Sequence, residues 1–100
     1  MKELNEKEID ESISNEQNFY LYLYTPMCGT CQVASKMLSV VKELLPAIAI
    51  GKSDLNYIPK KAIEWEIESV PCLLLFKNGT IYKKVYAFHS VPYLLETINE

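Results

Sequence analysis

Two stretches of this chain are apolar at nearly every position. The first, Phe19–Tyr24, reads FYLYLY, and the second, Cys72–Phe76, reads CLLLF. A strand of this kind has no polar face to present to water, so it suits a position in a sheet that is covered on both sides. The two runs therefore predict a central sheet that lies between two layers of helices.

The segments between and around these strands alternate in type. Helical spacing and capping residues predict four helices: at 6–14, from Cys28 until Pro46, at 59–65 and after a Ser90 cap. A short strand is predicted at 47–50, and the Asn78-Gly79 turn predicts that Thr80 to Tyr86 returns antiparallel to the second apolar strand. This order predicts an α/β fold, a three-layer α/β/α sandwich with a central mixed sheet. One hundred residues fit a single domain over 1–100.

The helix that begins at Cys28 carries a broad set of apolar residues. Its inward face is expected to comprise Val33, Met37, Val40, Val41 and Leu44, with Ala34, Leu38 and Leu45 beside them. In the following helix, Ala62 and Ile63 are expected to face inward.

A Cys-Gly-Thr-Cys motif, Cys28 to Cys31, falls where the first apolar strand gives way to this helix. Two intervening residues place both sulfurs on the first helical turn. The free N–H groups and the positive dipole end of the helix favour a thiolate at Cys28, whose pKa then falls from ~8.5 toward ~3.5–7.5. The motif predicts thiol–disulfide exchange, in which Cys28 attacks a substrate disulfide and Cys31 attacks Cys28 to release the product. Gly29 leaves the sulfur open to a bulky substrate.

The motif belongs to a longer pattern. Tyr24–Cys31, which reads YTPMCGTC, is followed by Ser69–Gly79, which reads SVPCLLLFKNG. Together these segments resemble the thioredoxin family, and the resemblance covers nearly the whole chain. It implies a thioredoxin-like fold and the activity of a protein-disulfide reductase, with roles in electron transport and cell redox homeostasis. It also implies protein disulfide substrates and an electron donor such as a thioredoxin reductase, while exchange itself needs no cofactor.

The same resemblance implies the substrate contacts. Val70-Pro71 corresponds to the family's cis-proline dipeptide beside the cysteine pair, and the backbone of Val70 is expected to pair with the incoming substrate. Met27 stands where the family usually has an aromatic residue and offers a flexible apolar docking surface. Gly29 and Thr30, which lie between the two cysteines, complete the expected substrate-binding set.

The chain departs from the family pattern at two positions. Tyr22 stands six positions before Cys28, where thioredoxins usually carry a buried aspartate that helps take the proton from the second cysteine. A tyrosine, with a reference pKa of ~10, is a poor base at neutral pH, and Lys52, which matches a family lysine, loses its usual partner. We therefore expect slow resolution of the mixed disulfide. Thr30 replaces the family's usual proline and predicts a less reducing couple.

Charge and hydropathy narrow the choice of partners. The ten basic residues are all lysines, the net charge is −3, and no basic stripe is present, so nucleic-acid binding is not expected. No apolar run approaches the roughly eighteen residues that span a bilayer, and the start, MKELNEKEIDESIS, has no features of a secretory signal. These observations predict a cytoplasmic location with no membrane partner. A monomer is expected, although no sequence feature bears on the oligomeric state.

Other interpretations of the cysteines stay open at this point. Cys28, Cys31, Cys72 and His89 would make a zinc-binding set of three thiolates and one imidazole. The chain could then be a non-catalytic binding module or a redox or metal sensor. In the leading interpretation no metal is bound, Cys72 is a small apolar residue at the start of a core strand, and His89 faces solvent beside a helix cap.

Overall fold

Nine regular elements alternate along the chain. The computed structural model describes residues 1–100, and its elements are β1 (Lys2–Glu3), α1 (Glu6–Asn15), β2 (Asn18–Tyr24), α2 (Gly29–Leu44), β3 (Ala49–Asp54), α3 (Pro59–Glu64), β4 (Cys72–Lys77), β5 (Thr80–Val85) and α4 (Val91–Ile98). A 3-10 turn, Leu55–Tyr57, precedes α3. The strands form one sheet in the order β1-β3-β2-β4-β5. β1 and β2 run parallel to β3, whereas β4 is antiparallel to both β2 and β5.

Helices cover both faces of the sheet. The core on the face of α2 and α4 comprises Tyr20, Tyr22, Ala34, Leu38, Val41, Leu73, Leu75, Val85, Phe88, Leu94 and Ile98. The core on the opposite face comprises Leu4, Ile9, Phe19, Leu21, Leu23, Ile58, Cys72, Leu74 and Phe76. Successive residues of β2 and β4 alternate between these two cores, so both strands need apolar residues throughout. The predicted three-layer α/β/α sandwich, a thioredoxin-like fold with a mixed sheet, is confirmed.

The side of the sheet formed by β3 and the edge strand β1 differs from the sequence prediction. β1 is not predicted, because two residues carry no periodic signal. The strand predicted at 47–50 lies instead at Ala49–Asp54, and its polar second half pairs with both β1 and β2. Gly51 allows a close approach here, because a Cβ at this position would lie 2.7 Å from Leu4 Cγ. Backbone pairing with β1 and β2 therefore extends the strand beyond its apolar start.

The inward face of α2 is also shifted from the prediction. The buried residues of this helix are Cys31, Ala34, Leu38 and Val41. Val33, Val40 and Leu44 are exposed, so the prediction that they face inward is wrong. α2 is apolar around much of its circumference, so its apolar spacing alone does not define which stripe meets the sheet. Ile63 of α3, at 79% exposure, is likewise wrongly predicted to face inward.

Local signals place the turns and caps correctly. Asn78 and Gly79 both have positive φ, 51° and 83°, as a two-residue hairpin turn with this sequence requires. The Asn5 side chain accepts a hydrogen bond from the Glu8 N–H at the start of α1, and Ser90 caps α4 in the same way. The hairpin and both of these helix starts are therefore confirmed.

Candidate active site

The cysteine pair lies at the junction of β2 and α2. Cys28 is the N-cap of α2, and a disulfide bond joins it to Cys31, with the two Cα atoms 5.2 Å apart. The Cys31 backbone N–H donates a hydrogen bond of 3.2 Å to Cys28 Sγ, and the Thr30 hydroxyl lies 3.5 Å from the same sulfur. Cys31 is buried whereas Cys28 is only half-buried. The two sulfurs are therefore not equivalent, and the sulfur of Cys28 belongs to the more exposed residue of the pair.

The surroundings of Cys28 favour negative charge on its sulfur after reduction. The sulfur sits at the N-terminus of a helix of 16 residues that has no acidic residue in its first turn. The helix dipole stabilises an anion at this position by ~0.3–2 kcal/mol. The hydrogen bond from the Cys31 N–H adds to this stabilisation.

Tyr22 contacts Cys31 through the backbone. Its side chain is fully buried, and its hydroxyl donates a hydrogen bond of 2.6 Å to the Cys31 carbonyl oxygen. Burial raises the pKa of Tyr22 to about 12. Tyr22 is therefore not a base near neutral pH, which agrees with the expectation from the sequence. The hydrogen bond from its hydroxyl to the first turn of α2 is not predicted by the sequence.

A second tyrosine connects the site to the N-terminal strand. The Tyr24 ring stacks on Tyr22, with ring centroids 5.8 Å apart. Its hydroxyl donates to Glu3 Oε1 at 2.5 Å, and Glu3 Oε2 accepts a hydrogen bond of 3.2 Å from the Asp54 N–H. Burial and the Glu3 carboxylate raise the pKa of Tyr24 well above its usual value. Glu3 could not be identified from sequence, because its role depends on β1 pairing with β3.

The expected substrate contacts lie around the cysteine pair. The Val70-Pro71 peptide bond is cis, as the family resemblance implies. Pro71 and Thr30 line one apolar groove of about 370 Å³. Met27 is 97% exposed, and Gly29 is exposed with open space where a Cβ would stand. The structure thus brings Thr30 and Pro71 together, and leaves Met27 and Gly29 on the surface next to Cys28.

The third cysteine has a different environment. Cys72 is a free thiol with no exposed surface, and burial raises its pKa to about 12. Cys72 packs in the core on the face opposite to α2, as a small apolar residue would. No group of three or more His, Cys, Asp or Glu side chains is placed so that it could hold a metal ion. The alternative ligand set that includes Cys72 and His89 is therefore not assembled.

This fold and this placement of a disulfide-forming pair define the class of thioredoxin-like proteins. Comparison with known proteins narrows the class to a family. The family model described as Thioredoxin matches residues 1–100. The chain is 55% identical over 100 residues to the thioredoxin-like protein YusE of Bacillus subtilis, a match that covers all of this chain and 92% of that protein. It is 31% identical over 78 residues to Thioredoxin-1 of Saccharomyces cerevisiae, with 78% and 76% of the two chains covered.

Solved structures agree on the fold. A mutant thioredoxin from Halobacterium salinarum superposes with a TM-score of 0.87 at 22% identity, over 98% of this chain and 87% of the other. Oxidised mitochondrial thioredoxin 3 from Saccharomyces cerevisiae superposes with a TM-score of 0.86 at 23% identity, over 99% of this chain and 93% of the other.

The chain belongs to the thioredoxin family. Membership of this family, together with the Cys28–Cys31 pair, indicates a thiol–disulfide oxidoreductase. None of its helices has the length and apolar character that crossing a membrane requires.

Proposed function

We propose that this protein is a protein-disulfide reductase in which Cys28 is the nucleophile and Cys31 the resolving thiol. The observation that carries the proposal is the asymmetry of the pair. Cys28 is accessible and caps α2, and its Sγ accepts a hydrogen bond from the Cys31 N–H, whereas Cys31 is buried beneath it. An accessible thiolate next to a protected partner suits attack by the first sulfur and release by the second.

The reaction proceeds in two exchanges. The Cys28 thiolate attacks one sulfur of the substrate disulfide, and the other substrate sulfur leaves as a thiolate that takes up a proton. Cys31 then loses its proton and attacks Cys28 Sγ, so that the second substrate sulfur leaves and the Cys28–Cys31 disulfide forms. Two electrons pass from the cysteine pair to the substrate, and two protons end on the substrate thiols.

Five residues are proposed to seat the protein substrate: Met27, Gly29, Thr30, Val70 and Pro71. Exposed Met27 offers an adaptable apolar contact. The groove that contains Thr30 and Pro71 supplies further apolar surface next to the pair. The open space at Gly29 lets the substrate backbone approach Cys28 closely.

Turnover requires that the Cys28–Cys31 disulfide be reduced again. We propose an electron donor of the thioredoxin reductase type, and a role in electron transport and cell redox homeostasis. The protein is proposed to act in the cytoplasm as a monomer, with residues 1–100 forming a single domain. No resident cofactor is required, because the electrons are carried by the two sulfurs themselves.

A redox titration of the purified protein tests the proposal. We expect one reversible two-electron couple that is lost in both Cys28→Ser and Cys31→Ser. Cys31→Ser should in addition trap a mixed disulfide with a protein substrate, because the resolving thiol is missing. Cys72→Ala is the matched control, since this buried thiol lies outside the pair and should leave the couple in place. If no couple appears, the oxidoreductase function is wrong and a binding or sensing role replaces it.

A further inference from the structure

A cleft of about 420 Å³ opens on the cysteine pair from the side of Tyr22 and Tyr24. Its walls include both Cys28 and Cys31, whereas the walls of the apolar groove beside Pro71 include neither cysteine. Small-molecule sites typically have volumes of ~300–1,000 Å³. The cleft is therefore large enough for a small molecule in direct contact with the sulfurs.

The charged side chains of this cleft have one sign. Lys36 and Lys52 line it, and no aspartate or glutamate does. Neither lysine belongs to any of the three ion pairs of the molecule, so no carboxylate oxygen lies within 4.0 Å of either ammonium. Lys52 is half-buried, with its Nζ 5.7 Å from the centre of the Tyr24 ring. A partly desolvated ammonium without a counter-ion is stabilised by an incoming anion.

The acidic residues on the neighbouring strands make other contacts. Both carboxylate oxygens of Glu3 are engaged, by the Tyr24 hydroxyl and by the Asp54 N–H. Asp54 Oδ1 accepts a hydrogen bond of 2.9 Å from the Asn56 N–H. Although Glu3 pairs in register with Lys52 on β3, its carboxylate does not neutralise the cleft by direct contact.

Uncharged donors complete the lining. Gln32 and Ser35 follow Cys28 by four and seven positions, so they lie along the same side of α2. The side chains of Gln32 and Ser35 make no hydrogen bond to another protein group. The side-chain hydrogen bonds at the start of α2 involve only Tyr22, Cys28 and Thr30. An amide, a hydroxyl and two ammonium groups therefore face a space that ends at the sulfurs.

We propose that this cleft accepts carboxylate-bearing low-molecular-weight disulfides, with one ligand sulfur at Cys28 and the carboxylate at Lys52 and Lys36. The inference rests on the proposed function and adds a second substrate class for the same cysteine pair. The Cys28 thiolate attacks one sulfur of the small disulfide, and the first small thiolate leaves and is protonated. The Cys31 thiolate then attacks Cys28 Sγ, and the second small thiolate leaves. The protein disulfide forms as the ligand disulfide is reduced by two electrons, and the two thiol protons end on the small thiols.

Three disulfides that differ only in their end group test this proposal. Dithiodipropionate is anionic, bis(hydroxyethyl) disulfide is neutral and cystamine is cationic. The rate at which each oxidises the reduced protein is divided by its rate with free dithiothreitol, a neutral dithiol that all three probes oxidise, which removes differences in intrinsic reactivity. We expect the corrected rate for the anion to exceed that for the neutral compound by about tenfold, equivalent to ~1.4 kcal/mol. Cystamine should be the slowest of the three.

Lysine variants assign this preference to the cleft. Lys52→Gln and Lys36→Gln should each lower the ratio of the anionic rate to the neutral rate. Lys60→Gln removes the same charge from an exposed residue of α3 that is outside the cleft, and should leave the ratio unchanged. Because Lys36 is exposed, its variant remains a test even if Lys52→Gln does not fold.

Each alternative result has a distinct meaning. If the corrected rates of the three probes are equal, or if Lys52→Gln and Lys60→Gln behave alike, the cleft proposal is overturned while the exchange reaction stands. If none of the probes oxidises the protein, the cleft proposal is overturned, and the redox titration of the Cys28–Cys31 couple decides whether the oxidoreductase function fails as well. Peptide disulfides with Glu or Gln beside the cysteine form a last arm. A preference for Glu that disappears in Lys52→Gln, together with equal corrected rates of the three small probes, would assign the cleft to acidic protein substrates and overturn the small-molecule assignment.

Discussion

The Tyr22 hydroxyl donates a hydrogen bond of 2.6 Å to the backbone carbonyl oxygen of Cys31. Tyr22 is thus tied to Cys31, the proposed resolving cysteine, through the backbone of Cys31. Burial raises the pKa of Tyr22 to about 12, so the phenol stays protonated and remains a donor across the physiological range. The contact orders the first turn of α2 without supplying a base.

Removal of this hydroxyl should weaken the fold by a small amount. In Tyr22→Phe the ring and its packing remain, but the Cys31 carbonyl loses a buried donor, at a cost of ~0.5–1.5 kcal/mol. Urea unfolding of the oxidised protein measures the loss. Tyr57→Phe is the matched control, because Tyr57 is 80% exposed and its hydroxyl makes no hydrogen bond within the protein. Equal stability of the two variants would contradict the role given to the Tyr22 hydroxyl.

Restoring a carboxylate at position 22 should speed the second exchange. A general base typically contributes ~10²–10⁴-fold to a proton transfer, so Tyr22→Asp should raise the rate at which Cys31 displaces a thiol bound to Cys28. The variant should also lose ~3–5 kcal/mol of stability, because a buried ring is replaced by a small side chain. The release of a coloured aromatic thiol from its mixed disulfide with Cys28 reports the rate.

Tyr22→Asn separates the two effects of that substitution. It creates a similar cavity but cannot accept a proton, so it should lose stability without any gain in rate. If Tyr22→Asp resolves the mixed disulfide no faster than Tyr22→Asn, the absence of a carboxylate does not limit the reaction in this protein.

The sequence predicts the features that depend on local patterns. The two apolar strands, the Asn78-Gly79 turn and the position of Cys28 at a helix start all follow from short segments. What the sequence does not predict depends on contacts between distant segments. Glu3 acts on Tyr24 only because β1 adds to the sheet, and Val33 is exposed because α2 meets the sheet with the stripe that contains Cys31, Ala34, Leu38 and Val41.

Thr30, one of the two residues between the cysteines, should influence the redox potential. Thr30 lies in the first turn of α2 with its hydroxyl 3.5 Å from Cys28 Sγ. Thr30→Pro should make the couple more reducing, and a shift of ~30 mV would need only ~1.4 kcal/mol of differential stabilisation. Equilibration with a glutathione buffer measures the potential. Thr30→Val keeps the side-chain shape but removes the hydroxyl, so it separates the effect of that group from the effect of a stiffer backbone. An unchanged potential in Thr30→Pro would refute the prediction.

Two glycines should differ in how much an added methyl group changes the stability of the fold. In Gly51→Ala the new Cβ would lie 2.7 Å from Leu4 Cγ and press on β1, which should cost ~1–3 kcal/mol of stability. Gly29 has no atom within 4 Å of an added Cβ, so Gly29→Ala should leave the free energy of unfolding nearly unchanged. Urea unfolding compares the two variants, and a tolerated Gly51→Ala would show that β1 can move away from β3 at little cost.

Alkaline pH should destabilise the oxidised protein, in which Cys28 and Cys31 do not titrate. Burial raises the pKa of Tyr22 and of the Cys72 thiol to about 12, from ordinary values of 10.0 and 9.0. At pH values between the ordinary and the raised pKa, the folded chain binds more protons than the unfolded chain. The stability that these two groups contribute is therefore complete below about pH 9 and is lost as the pH rises toward about 12. The free energy of unfolding in urea, measured from about pH 8 to pH 11, should therefore fall with pH. Tyr22→Phe and Cys72→Ala should each make that fall less steep. Tyr57→Phe, which changes an exposed tyrosine, should leave the slope unchanged. Identical slopes in all three variants would show that the two buried groups do not control the loss of stability at alkaline pH.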